Sequence, residues 1–254
     1  MFIDSHCHLY YEPYINNLEA TLNSCNKNNV KKLLSIGINI ETSKKNIEIS
    51  NKYNEIFCTI GIHPNEVKNC KDNDYLELKK IYKKNHKIIG IGEIGYDFFK
   101  STNSKNQEIF FIEQIEIALE YNLPIVIHSR NAEQKTIDTL KKYKNSNLKF
   151  IVHCFTGTER FADEILNLDG YISFTGILTF KKSEILRNIC RNIPIERLLI
   201  ETDSPYLSPE PFRGKVNCPS NVIYVAKQIS ETKGLDIDQI EKITTNNFNT
   251  FFNL

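Results

Sequence analysis

Short apolar runs rich in β-branched residues recur along this chain, and longer stretches with helical spacing separate them. This strand-then-helix alternation leaves few architectures open. The runs read as strands are Phe2 to Cys7, Lys32 to Gly37, Ile56 to Ile62, Ile88 to Glu93, Pro124 to His128, Phe150 to His153, Tyr171 to Phe174 and Leu198 to Glu201. Helical spacing is found over Tyr14 to Asn28, Tyr75 to Lys84, Lys105 to Tyr121, Asn131 to Lys142, Arg160 to Leu168 and Lys182 to Asn192, each with one apolar stripe. Segments such as Ile88-Ile89-Gly90-Ile91-Gly92 and Ile125-Val126-Ile127 lack the alternation of a half-solvated strand, which suits a parallel sheet covered on both faces. Eight βα units in about 250 residues predict an α/β chain closed into a single (β/α)₈ TIM barrel. An open doubly wound sheet would carry a Gly-rich phosphate fingerprint after an early strand, and none is present. The Pro-rich segment Ser204 to Pro211 reads as a loop leading into two C-terminal helices. No linker or internal repeat divides the chain, so residues 1–254 are expected to form one barrel domain.

Charge and cysteine content remove some function classes. The formal net charge is +1, so no global excess of positive charge advertises nucleic acid, although a local basic patch remains open. Seven cysteines, with no CxxC pair and no zinc-ribbon spacing, read as reduced thiols. The N-terminus runs straight into Phe2-Ile3-Asp4-Ser5-His6, and no apolar stretch is long enough to span a bilayer. A cytoplasmic protein without membrane association, monomeric in the simplest reading, is the expectation.

The chemistry is concentrated at the predicted strand ends. Of six histidines, His6, His8, His63, His128 and His153 stand at or just beyond the C-terminal end of a strand, and His86 does not. In a parallel barrel those ends converge on one face. In His6-Cys7-His8 the two-residue spacing on an extended strand puts both imidazoles on the same side, able to grip one ion. Glu93 and Asp203 each follow an apolar run, where an unpaired carboxylate is costly to bury and a cation would relieve the cost. Mixed imidazole and carboxylate donors suit Zn²⁺, Mn²⁺ or another first-row ion, with Mg²⁺ an option where oxygens dominate. Enough donors exist for one or two divalent ions, with Glu93 placed to bridge a pair, the arrangement used for in-line attack at phosphorus. His63, in Gly61-Ile62-His63-Pro64, is read as a contact to phosphate or leaving group, with metal ligation and a loop-capping role as alternatives. Arg130 and Arg213 would add fixed positive charge near the mouth, in a shape matched to phosphate oxygens.

Seven blocks carry a resemblance to a known family. They are Phe2-Ile3-Asp4-Ser5-His6-Cys7-His8-Leu9, Gly61-Ile62-His63-Pro64, Gly92-Glu93-Ile94-Gly95-Tyr96-Asp97, Ile127-His128-Ser129-Arg130, His153-Cys154-Phe155-Thr156-Gly157, Tyr171-Ile172-Ser173-Phe174-Thr175-Gly176 and Glu201-Thr202-Asp203-Ser204-Pro205-Tyr206-Leu207. In this order they resemble the TatD-related metal-dependent deoxyribonucleases, within the amidohydrolase-like barrels, from end to end. The resemblance implies one metal held by His6, His8, Glu93 and Asp203 and a second held by Glu93, His128 and His153. Tyr206, in the last block, is expected to join His63, Arg130 and Arg213 at the substrate. The resemblance also implies hydrolysis of DNA phosphodiesters, with 3′-to-5′ exonuclease action on single-stranded DNA, described for some members, as the expected mode. Deacylation of D-aminoacyl-tRNA, linked to some members, is the alternative. Asp203 is expected to take the proton of an attacking water. The chain departs from the family pattern at Tyr10, where an Asp is common, and at Val216 and Cys218. None of these is a metal ligand, and the changes are expected to bear on substrate preference at the mouth and to leave the metal chemistry untouched.

Overall fold

A computed structural model describes residues 1–71, 73–82, 85, 87–99 and 104–254. Among them, eight strands form one parallel sheet in sequential order: β1 (Phe2–Cys7), β2 (Val30–Ser35), β3 (Ile56–Ile60), β4 (Ile88–Asp97), β5 (Ile125–Arg130), β6 (Phe150–Val152), β7 (Tyr171–Phe174) and β8 (Leu198–Ile200). The helices described are α1 (Leu18–Lys27), α2 (Ile40–Lys52), α3 (Tyr75–Tyr82), α4 (Ser104–Glu120), α5 (Glu133–Lys141), α6 (Glu159–Asn167), α7 (Glu184–Asn192), α8 (Val222–Lys233) and α9 (Ile237–Phe252). The expected end of α3 at Lys84 lies outside the described residues. Beyond the ladder ends, a parallel bridge between Cys7 and Ser204 brings the first and last strands together. The Asp203 amide donates to the His6 carbonyl at 2.9 Å, and the His8 amide to the Ser204 carbonyl at 2.9 Å. Beneath this seam the fully buried Asp4 accepts from the Thr202 amide at 2.9 Å and the Thr202 hydroxyl at 2.6 Å. The result is the (β/α)₈ barrel.

Two apolar clusters follow from the pleat. Residues facing outward, such as Ile125, Ile127, Phe150, Val152, Leu198 and Ile200, pack under the helices. Inward-facing Ile3, Leu34, Ile89, Val126, Ile151 and Leu199 form a separate cluster, closed from below by Phe248, Phe251 and Phe252 of α9. Because side chains alternate along a strand, the residue two positions after an inward apolar one also points inward, nearer the C-terminal mouth. Val126 is thus followed by His128, Ile151 by His153 and Leu199 by Glu201. The barrel is hydrocarbon at its base and polar at its top.

Strand and helix limits differ from the sequence reading where polar residues are buried. β4 continues past Glu93 to Asp97 because β5 runs alongside it, pairing Gly95 with His128 and Asp97 with Arg130. Gly95 has φ +135° and lies so close to β5 that a Cβ would stand 2.1 Å from the His128 carbonyl oxygen, a position that requires glycine. α2 has no apolar stripe in the sequence because the face it buries is Thr42, Ser43, Asn46 and Ser50 alongside Ile49. Part of that polar face is bonded inward: Ser43 Oγ accepts from the Gly61 amide at 3.2 Å and Asn46 Oδ1 from Ser35 Oγ at 2.7 Å. No described helix is long and apolar enough to cross a membrane.

The basal plug gives a stability test. Phe251 is 1% exposed, so Phe251→Ala should cost about 3–5 kcal/mol in chemical denaturation. A loss below about 1 kcal/mol would mean that the site collapses around the missing ring.

Candidate metal centre

Six elements of the barrel send side chains to one cavity of about 580 Å³ at the C-terminal mouth, lined among others by His8, His63, Glu93, His128, His153 and Asp203. His6, fully buried, does not line the cavity and sits against its Glu93 and Asp203. Glu93 is the hub. Its Oε1 lies 2.8 Å from His128 Nδ1, 2.8 Å from His153 Nε2 and 3.3 Å from His63 Nε2. Its Oε2 lies 3.6 Å from His6 Nε2. On the other side of His6, Asp203 Oδ1 is 3.6 Å from His6 Nε2 and 3.2 Å from His8 Nε2. His6 stacks on His153 with ring centroids 4.0 Å apart. Among the described residues three groups of donor atoms lie close enough to share an ion: His6, His8 and Asp203; His6, Glu93 and His153; His63, Glu93 and His128.

A family model described as TatD related DNase matches residues 3–253. The chain belongs to this family. It is 41% identical to an uncharacterized metal-dependent hydrolase of Buchnera aphidicola subsp. Acyrthosiphon pisum, over 99% of both chains. It is 36% identical to the uncharacterized metal-dependent hydrolase YabD of Bacillus subtilis, over 100% of both. The crystal structure of the TatD homolog YJJV from Escherichia coli K12 superposes with a TM-score of 0.94 at 27% identity, covering 100% of this chain and 98% of that one.

The TatD-type cluster is electrostatically suited to a cation. Burial alone would raise Glu93, yet His153, His63 and His128 outweigh it and hold the carboxyl well below the usual range. Asp203 is likewise held low against its burial, through His8 and His6. His153 is pushed well up against burial by Glu93 and Glu201, His128 up by Asp97 and Glu93, and His8 up by Asp203. Burial wins at His6 and His63, which are lowered. Raised imidazoles around ionised carboxylates mean that this pocket accumulates positive charge, as protons or as metal.

The donor spacing fits a metal. Among the described residues neither ring nitrogen of buried His6 has a hydrogen-bond partner, an expensive arrangement for a polar group without a further role. The 3.6 Å between His6 Nε2 and each of Glu93 Oε2 and Asp203 Oδ1 is too long for a hydrogen bond. It suits two donors each about 2.0–2.2 Å from a shared ion. His153 points Nδ1 at Glu201 Oε1, 3.2 Å away. With the proton on Nδ1, the Nε2 lone pair faces Glu93 Oε1, and a cation between them removes the repulsion.

His63 differs. Its Nδ1 accepts from the Asn65 amide at 3.0 Å, so in the neutral ring the proton sits on Nε2, which faces the cavity as a donor. His86, the histidine read as lying away from the strand ends, falls outside the described residues.

Several groups escaped the sequence reading. Glu201 holds His153 and also accepts from the Cys154 amide at 2.8 Å and from Ser173 Oγ. Asp97 lies 3.4 Å from His128 Nε2 and accepts from Asn65 Nδ2 at 2.8 Å. Both stand in the quoted motif blocks, and alternation from Leu199 would have pointed Glu201 inward. Tyr10, read as a change at the mouth, is buried with its hydroxyl 3.1 Å from His8 Nδ1. The departure therefore meets the side chain of His8, one of the expected ligands, rather than the open mouth. Val216 and Cys218 do not line the cavity, whereas Tyr206, half exposed, and Arg130 do. Arg130 stacks 4.0 Å over Phe99. Arg213 lies over Phe180 at 3.9 Å, in an adjoining groove rather than in this cavity.

Tyr10→Phe removes the hydroxyl that meets His8 Nδ1 while keeping the ring. Affinity for Zn²⁺ or Mn²⁺, read by competition with a chromophoric chelator, should fall about 10-fold or more; wild-type affinity would leave Tyr10 a packing residue only.

Proposed function

We propose that this chain is a divalent-metal-dependent deoxyribonuclease that hydrolyses phosphodiester bonds of single-stranded DNA, working from 3′ ends. Family membership supports the coarser part, a metal-dependent hydrolase on an amidohydrolase-type barrel. The observation that carries the reading is the meeting of Glu93 with four imidazoles, and of Asp203 with His6 and His8, in a cavity of about 580 Å³, a size in the range of small-molecule sites.

His6, His8, Glu93 and Asp203 would hold one ion, and Glu93, His128 and His153 a second; Zn²⁺, Mn²⁺ and Mg²⁺ are the candidates. Such ions supply Lewis-acid polarisation and charge neutralisation at a phosphoryl centre. The chain's own groups do the rest. Asp203, partly exposed at the cavity floor, accepts the proton of the attacking water. His63, its Nε2 proton directed inward by the Asn65 amide, donates to a phosphate or leaving-group oxygen. Arg130, at the rim, draws in the phosphate. Tyr206, also lining the cavity, offers an exposed ring on which a base can stack.

Asp203→Asn should lower turnover by about 10²–10⁴-fold with an unchanged far-UV circular dichroism spectrum; full activity would remove Asp203 from proton transfer. His63→Ala should reduce kcat/KM while metal content, measured by atomic emission, stays at the wild-type level. Parallel metal loss would make His63 a ligand instead. The decisive assay titrates each metal against 3′-labelled and 5′-labelled oligonucleotides, with D-aminoacyl-tRNA alongside. Release of labelled mononucleotide first from the 3′-labelled strand is expected. Deacylation without strand cleavage would replace the nuclease reading.

A further inference from the structure

Beside the catalytic cavity lies a second groove, lined by Phe180, Lys181, Lys182, Ser183, Glu210 and Arg213. The two share their walls. Ile177 and Leu207 line the cavity, while Phe180 and Glu210, three residues further along the same two segments, line the groove. The segments are locked together: the Glu210 amide donates to Thr179 Oγ1 at 2.9 Å. At Gly176 a Cβ would come within 2.2 Å of the Leu207 carbonyl oxygen. The turn that carries the lysines is also pinned, by Arg187 Nη1 donating to the Phe180 carbonyl at 2.9 Å and by Ser183 Oγ donating to the Ile177 carbonyl at 2.7 Å. Lys181, Lys182 and Arg213 are exposed, and among the described residues none of the three is in an ion pair. Glu210 is the single acid lining the groove. In a chain whose net charge is only +1, this is a local concentration of free positive charge at one end of the reaction centre.

We propose that this groove is a backbone track for the single-stranded polynucleotide, holding phosphates beyond the scissile one; the proposal rests on the nuclease reading above. The chemistry selects the occupant. Exposed cations hold a lone phosphate weakly in water, because each exposed pair gains about 1 kcal/mol or less. A polyanion anchored in the neighbouring cavity meets the same cations at high effective concentration and releases counterions as it binds. The Arg213 guanidinium, its carbon 3.9 Å from the centre of the Phe180 ring, offers N–H donors matched to phosphate oxygens.

Binding of a fluorescein-labelled 12-nucleotide deoxyoligonucleotide, followed by anisotropy in EDTA across a salt series, tests the track without turnover. The Lys181→Ala/Lys182→Ala variant should bind more weakly, and its slope of log affinity against log salt should be shallower by about 1.4, two lysines at about 0.7 each. Lys27→Ala/Lys31→Ala removes equal charge at the opposite end of the barrel and should leave the slope within about 0.3 of wild type. With the metal-loaded enzyme, the ratio of variant to wild-type KM should grow from a dinucleotide to the 12-mer. A groove variant with the wild-type slope, an equal loss in the remote pair, or no detectable binding by the wild type overturns the track. Loss of slope in a protein that cleaves no strand upholds the track and removes the nuclease reading. Strand cleavage with an unaltered slope does the reverse.

Discussion

A carboxylate held out of water at the centre of a protein has to be answered by positive charge, and the upper half of this barrel is arranged around that demand. Glu93 is only 4% exposed, so its ionised form would be prohibitive without the four imidazoles that surround it. Those imidazoles come from β1, β5 and the residues following β3 and β6, and their positions are in turn fixed by Glu201, Asp97 and the Asn65 amide. Charge alternates outward from Glu93, carboxylate to imidazole to carboxylate. Such a network is most stable when every member is satisfied, and the unpartnered Nε2 of His6, facing Glu93 and Asp203, is where a cation would complete it.

Much of this was legible in the sequence because a strand's two-residue repeat is a geometric rule. Once Val126 and Ile151 are inside, His128 and His153 are inside too, one layer nearer the mouth. The barrel was readable for the same reason, since strands covered on both faces leave apolar runs. What escaped was polar burial. α2 hides Thr42, Ser43, Asn46 and Ser50 against the sheet, so its inner face looks like a solvent face in the sequence. β4 runs through Glu93 to Asp97 because the partner strand and the histidines compensate a charge that alone would end a strand. Tyr10 and Glu201 act through hydrogen bonds to other side chains, and a partner from a distant strand leaves no trace in local periodicity.

The two halves of the barrel divide the work. At the base, Phe248, Phe251 and Phe252 fill the lumen with rings, a layer that contributes packing and no chemistry. At the mouth the backbone departs from the usual basin: Cys154 has φ +46° and Asp203 φ +53°. Such left-handed residues cost on the order of 1 kcal/mol each or more. They persist because their amides are committed, Cys154 to Glu201 and Asp203 to the His6 carbonyl. Rigidity is thereby placed where the donor atoms must keep their spacing.

The seam between β1 and β8 has a consequence for the order of assembly. Asp4 and Thr202, whose bonds join the two edges, are separated by 198 positions, and the same seam brings His6 and His8 to Asp203. Contacts so distant along the chain carry a large loop-closure cost, which slows their formation. A nascent polypeptide still lacking its eighth strand therefore presents the two N-terminal imidazoles without their carboxylate, and the donor cluster is whole only once synthesis has passed Asp203.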